Sequence, residues 1–229
     1  MCGRFNLHTP VDQLVAMFHL QPMPWIEPRY NIAPMQMILA IRQSEHGREA
    51  HLLRWGLVPQ WSRDESSAAR LINARGETVA DKPSFRAAFK RRRCLIPADG
   101  FYEWHAEPGR NKQPYHIHQA DGQTMTFAGL WEHWQKEDGG LLETCTIITT
   151  EANDLLRGIH DRMPVILSQA DHGVWLDPEI DDRNALLPLL TPYPADRLQM
   201  EPISTLVNNI RHEGPELIKP VREQGSLFD

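Results

Sequence analysis

Apolar residues fall along most of this chain in short runs broken by Gly, Pro and polar clusters, which is the spacing of strands. The runs are "RFNL", "QMILAI", "HLLRWGL", "RCLIPA", "GFYEWH", "PYHIHQ", "TMTFAGLWEHW", "TCTIIT" and "PVILS". A Pro-Gly turn inside "GFYEWHAEPGRNKQPYHIHQ" predicts a hairpin. Helical signals are fewer and shorter. In "TPVDQLVAMF", Thr9 is the expected N-cap, Pro10 the first helical residue and Asp12 sits three residues after the cap. "PSFRAAFKRR", "EANDLLRGI" and "QADHGVWL" are further candidates. The pattern predicts an α+β domain: a mainly antiparallel, barrel-like sheet with a few short peripheral helices. We expect one domain over residues 1–207 and a polar tail over 208–229.

Composition narrows the class. With 229 residues, 41% hydrophobic and 24% charged, the chain suits one globular domain with a sizeable core. No apolar run approaches the roughly 20 residues of a membrane span, and no basic segment followed by an apolar stretch opens the chain, so a cytoplasmic monomer is expected. Cys2, Cys94 and Cys145 are too widely spaced for a disulfide framework or a metal knuckle. His116 and His118 share a strand face, but no further ligand lies at a zinc-like spacing, and neither a phosphate-cradling glycine loop nor a G-x-S-x-G elbow occurs. No metal and no cofactor is expected. A net charge of −6 argues against nucleic-acid binding by bulk electrostatics, so such a role would need a local basic surface. The run Lys90 to Arg93 and the scattered Arg4, Arg75 and Arg162 are candidates, although a charge run is more often a solvated face.

Chemistry concentrates in four places. Removal of Met1 would leave Cys2 with a free α-amine and a thiol on one residue. A free α-amine has a pKa of roughly 7.7 to 8.0, so on the order of a tenth is nucleophilic near pH 7. Such an aminothiol converts an aldehyde first to an imine and then to a thiazolidine, which an internal cysteine cannot do. Cys2 equally fits a small buried residue. Asn73 and Arg75 in "LINARGET" share a face if the segment is extended. Glu103, between Tyr102 and Trp104, is a carboxylate whose pKa aromatic burial would raise. His160, Asp161 and Arg162 stand just before a strand. Taken singly, each also has a structural reading: Asn73 as a turn cap, Glu103 as a cross-strand partner, His160 as a core histidine.

In combination, "MCGRF", "RYNIAP", "RWGLVPQW", "LINARGET", "RCLIPADGFYEW" and "IHDRMPVIL" resemble the SRAP family, the SOS-response-associated peptidases, in the family's order from residue 2 to about residue 205. The resemblance implies a DNA damage response protein that senses abasic sites in single-stranded DNA and shields them by a covalent crosslink. It places catalysis on Cys2, Asn73, Glu103 and His160. Cys2 would form the imine and close the thiazolidine, Glu103 would move protons, His160 would act near the sugar O4′ and allow reversal, and Asn73 would orient the sugar. A secondary lyase (C–O bond cleavage) activity is implied where ring closure is slow. Arg4, Arg75 and Arg162 fit phosphate contacts, and Trp61 with Pro34 fits a wedge against exposed bases. Two alternatives remain: a cysteine-type peptidase with His160 as base, as the family name suggests, and an N-terminal-nucleophile amidohydrolase. Finally, "QGSLFD" resembles the bacterial sliding-clamp motif at Gln224, Leu227 and Phe228, with Gly225 departing from it. Through DNA the protein would be nucleoid-associated.

Overall fold

A computed structural model describes residues 2–23, 25–106, 109 and 112–221. Twelve strands are present among them: β1 (Phe5–Leu7), β2 (Arg29–Ile32), β3 (Met37–Ser44), β4 (Gly47–Trp55), β5 (Asn73–Arg75), β6 (Arg93–Ala98), β7 (Gly100–His105), β8 (Gln113–Gln119), β9 (Met125–Gln135), β10 (Leu141–Glu151), β11 (Arg162–Pro164) and β12 (Leu198–Pro202). Four short α-helices accompany them: α1 (Val11–Phe18), α2 (Arg86–Arg91), α3 (His172–Leu176) and α4 (Arg183–Leu186).

The longest apolar runs close into a barrel. Strands β3, β4, β10, β9 and β6 form a continuous ring, because β10 pairs with both β4 and β9 while β6 pairs with both β3 and β9. Closure removes the edges that such apolar strands would otherwise expose. A second sheet, ordered β12-β8-β7-β1-β2, lies against it. Aromatic rings join the two: Phe5 on β1 meets Trp55 of β4 edge-on at 5.3 Å and Phe127 of β9 at 6.0 Å, and Phe101 on β7 meets Phe127 at 6.1 Å. All four rings are essentially fully buried, a contribution of about 2–3 kcal/mol each. The α+β, barrel-like architecture read from the pattern is the one observed.

Two glycines are required by close approach. At Gly56, φ is +132° and a Cβ would lie 2.9 Å from the Ala68 carbonyl oxygen. The chain leaves the barrel here, and β5 then takes the place along β10 that β4 vacates, both running parallel to it. At Gly100 a Cβ would stand 2.0 Å from His116 Nε2, so the buried His116 ring can lie against β7 only because this position carries no side chain.

Some local expectations do not hold. Thr9 does not cap α1: Pro10 is the N-cap and makes no side-chain bond, while Thr9 Oγ1 donates to Asp99 Oδ1 at 2.5 Å. That carboxylate also takes the His8 ring, and its pKa is held down to about 2 by the His8 and Thr9 hydrogen bonds against the opposing effect of burial. "EANDLLRGI" makes successive turns and no helix, with Asn153 Oδ1 accepting from Leu156 N–H at 3.1 Å. Within the segment from residue 208, expected as a polar tail, most side chains up to residue 221 are exposed but some groups are held to the domain. Asn31 Nδ2 donates to the carbonyls of Val207, Asn209 and His212 at 3.3, 3.0 and 3.0 Å, and Leu217 is fully buried beside Tyr102 and Ile203. Gln224, Leu227 and Phe228 lie outside the described residues.

Candidate active site at the N-terminal cysteine

Four separate elements bring the four expected catalytic residues to one place. Strands β1 and β7 are antiparallel with Phe5 opposite Phe101, and Tyr102 N–H donates to Arg4 O at 2.9 Å, so Glu103 stands across from the residues that precede β1. Glu103 shares a face of β7 with the core residue Phe101, while Tyr102 points to the other face. Asn73 opens β5, opposite Ile147 of β10. His160 lies at the entrance to β11, whose Arg162 pairs with Glu151 at the end of the same β10. Strand β10 thus aligns Asn73 and His160, and the second sheet delivers Cys2 and Glu103.

Asn73 Nδ2 donates to the Cys2 carbonyl at 2.8 Å, fixing residue 2 across 71 positions of sequence, and Asn73 Oδ1 is buried with no protein partner among the described residues. Cys2 is fully buried. Burial pushes its thiol up strongly and the Glu103 charge adds to this, against smaller opposing effects of the chain's amino terminus and the Arg4 backbone N–H. Glu103 is itself 4% exposed, and desolvation raises its carboxyl above the usual range, with the amino terminus and His160 pulling it back. A carboxyl so placed keeps its proton to higher pH than an exposed glutamate does.

His160 Nδ1 lies 2.9 Å from the Arg162 backbone N–H and also 2.9 Å from Asp161 Oδ1. One nitrogen cannot accept from the first and donate to the second in the same neutral ring. The Asp161 side chain is 83% exposed and served by solvent, and a backbone N–H can only donate, so we assign Nδ1 as acceptor and the proton of the neutral ring to Nε2.

The arginines divide. Arg4 Nη1 donates to Asn31 Oδ1 at 2.6 Å and to Val207 O at 2.8 Å, and its guanidinium lies 5.8 Å from the Trp104 ring, so much of it is engaged in holding residue 207. Arg75 is exposed. Arg162 is held in a fork: Nη1 and Nη2 donate to the two Glu77 oxygens at 2.5 and 2.9 Å, and Nη2 also donates to Thr149 O at 2.6 Å. Sequence reasoning missed Glu77, although the alternation Asn73, Arg75, Glu77 in "LINARGET" marks it. Trp61 is 66% exposed, with Nε1 at 3.4 Å from Pro83 O. Pro34 is half-buried at the turn where Met35 N–H meets Trp55 O, next to the point where the chain leaves β4 toward Trp61.

The basic run divides as well: Lys90 and Arg91 are exposed, whereas Arg92 and Arg93 are engaged within the fold. Arg93 is 3% exposed and donates to five carbonyls, those of Trp175, Phe89, Lys90, Asp177 and Ile180, and burial lowers its pKa to about 10. Arg92 Nη2 pairs with buried Glu132 at 2.6 Å. Among the described residues no cluster of three or more His, Cys, Asp or Glu is placed to hold a metal, and no helix is long and apolar enough to cross a membrane.

Comparison with known proteins identifies the family. The chain is 43% identical over 222 residues to the abasic site processing protein YoqW of Bacillus subtilis (strain 168), covering 96% of this chain and 99% of that one. It is 34% identical over 230 residues to the abasic site processing protein YedK of Escherichia coli (strain K12), covering 96% and 100%. A crystal structure of a Bacteroides thetaiotaomicron protein superposes with a TM-score of 0.87 at 28% identity, covering 96% of this chain and all of that one. The family model for SOS response associated peptidase matches residues 1–210, and the chain belongs to this SRAP family.

Proposed function

We propose that this protein processes abasic sites in single-stranded DNA by capturing the sugar aldehyde on Cys2 once Met1 has been removed. The observation that carries the reading is the meeting of Asn73 and Glu103 at residue 2, the first through a hydrogen bond to its carbonyl and the second through its charge on the thiol. The names of the relatives support the substrate class.

The open-chain deoxyribose presents an aldehyde at C1′. The neutral α-amine of Cys2 adds to C1′ to give a carbinolamine. Glu103, carrying its proton, delivers it to the carbinolamine hydroxyl, which leaves as water and generates an iminium ion. The Glu103 carboxylate then takes the thiol proton as Sγ attacks C1′. The product is a five-membered thiazolidine with new C1′–N and C1′–S bonds. One water is lost and Glu103 regains its proton. A thiol pushed up by burial needs such a base, because the thiolate is the nucleophile. His160, protonated on Nε2, exchanges a proton with the sugar O4′ as the ring opens and again when the linkage reverses. Asn73 Oδ1, buried with its acceptor capacity unused, is suited to a sugar hydroxyl. The iminium ion also acidifies C2′, so β-elimination with strand scission competes until sulfur closes the ring. A cysteine-type peptidase reading has less support, since that chemistry wants a thiolate stabilised by a neighbouring imidazolium and Glu103 pushes the other way.

Intact mass before and after incubation with abasic single-stranded DNA tests the reading. The expected result is a protein lacking Met1 that gains the mass of the oligonucleotide less one water, in an adduct that survives denaturation. A Met1-free protein that forms no adduct but hydrolyses peptide or glutamine refutes it.

A further inference from the structure

Glu77 offers two carboxylate oxygens to the Arg162 guanidinium in the side-by-side geometry that a phosphodiester also presents. The pair is lopsided: the Arg162 side chain is 12% exposed and the Glu77 side chain 52% exposed. The cation is therefore anchored, by Thr149 O as well, while its anionic partner stands on the solvent side. Glu77 also feels the charge of Arg75, which is exposed two residues earlier. A carboxylate thus occupies the outer face of a preformed oxyanion fork that begins two residues after His160.

We propose that Glu77 is an internal stand-in for a strand phosphate: it keeps the Arg162 fork extended and ordered in the free protein, and a DNA phosphodiester takes its place on binding. This rests on the abasic-site reading above and adds to it a residue that sets the strength of the DNA encounter. Displacement costs the protein an ion pair for each binding event, which weakens unproductive contact with intact strands, while the covalent bond to Cys2 supplies retention at abasic ones. The freed carboxylate also retains a cation that phosphate binding would otherwise release, so it lowers the salt dependence of binding.

The test uses full-length Met1-processed protein and a single-stranded oligonucleotide carrying tetrahydrofuran in place of the abasic sugar, which has no aldehyde, with binding read by fluorescence anisotropy. Glu77→Gln is expected to bind about two- to fivefold more tightly than the parent, the scale of one partly exposed ion pair. Its salt dependence should steepen by no more than the about 0.7 that one phosphate contributes on a single strand. Arg162→Gln should bind more weakly, and in that background the gain from Glu77→Gln should vanish. Equal or weaker binding by Glu77→Gln overturns the inference. So does an undiminished gain in the Arg162→Gln background, which would be general charge repulsion, or parent-like binding by Arg162→Gln. Inorganic phosphate separates a strand phosphate from a free anion: parent protein that binds inorganic phosphate through Arg162 as tightly as it binds the oligonucleotide assigns the fork to the free anion and overturns the proposal, and much weaker binding of inorganic phosphate supports the strand. Failure of the abasic-site reading is visible separately, as a parent protein that forms no adduct with aldehyde-bearing DNA.

Discussion

Glu103→Gln removes the titrating proton from the centre of the site while keeping its shape, and it should move stability and activity in opposite directions. Desolvation is the leading cause of the raised Glu103 pKa, so the folded state disfavours the carboxylate relative to the unfolded chain. For a carboxyl raised in this way, the stability it contributes is fully present below its unfolded pKa and is lost as pH rises through the folded one. Each pKa unit of elevation corresponds to about 1.36 kcal/mol. A neutral amide carries no such penalty. The variant should therefore melt higher than the parent at pH 8 and gain nothing at pH 4, read by calorimetry across that range. Crosslinking should fall about 10²- to 10⁴-fold, or about 2.7–5.4 kcal/mol of barrier, because an amide cannot pass a proton to the departing hydroxyl or take one from the thiol. The pH–rate profile should lose the limb on which parent activity declines as Glu103 deprotonates, while the limb set by the α-amine remains. A variant less stable than the parent at pH 8 would mean that burial does not disfavour this carboxylate. A variant that crosslinks at the parental rate would remove Glu103 from the mechanism.

Further outcomes are equally specific. Processed Cys2→Ala should form no denaturation-resistant adduct yet retain some strand scission through its α-amine, seen on a denaturing gel; full retention of the adduct would sink the thiazolidine route. Arg93→Met should leave five carbonyls without their donor and cost at least about 3 kcal/mol, a drop of roughly 6–12 °C in melting temperature, whereas a solvated arginine would cost almost nothing. If the tail is a sliding-clamp motif, deleting residues 224–229 abolishes pull-down by a bacterial sliding clamp and leaves crosslinking intact; unchanged pull-down removes Gln224, Leu227 and Phe228 from that role.

The sequence alone carried what is periodic or covalent. Alternating apolar runs marked the barrel strands, because a strand buried on its faces must repeat regardless of its partner. Cys2 directly after Met1 offered an aminothiol, because that chemistry needs only a processed terminus, although position alone also fits a small buried residue. Only the tertiary structure decided which polar groups meet. The run "FKRRRC" reads as a charged surface until Arg93 is seen enclosed by carbonyls from α2 and from residues after α3, distant in sequence by as many as 87 positions. Residues 208–221 read as a tail until Asn31 is found satisfying the carbonyls of Val207, Asn209 and His212 from the opposite end of the chain. The same holds at the site. "LINARGET" contains Asn73 and Glu77, but that one holds Cys2 and the other Arg162 follows from β5 taking the edge of β10 that β4 leaves at Gly56. Local patterns record what each segment buries. Hydrogen-bond and charge partners are chosen by closure of the barrel, which joins residues that no periodicity connects.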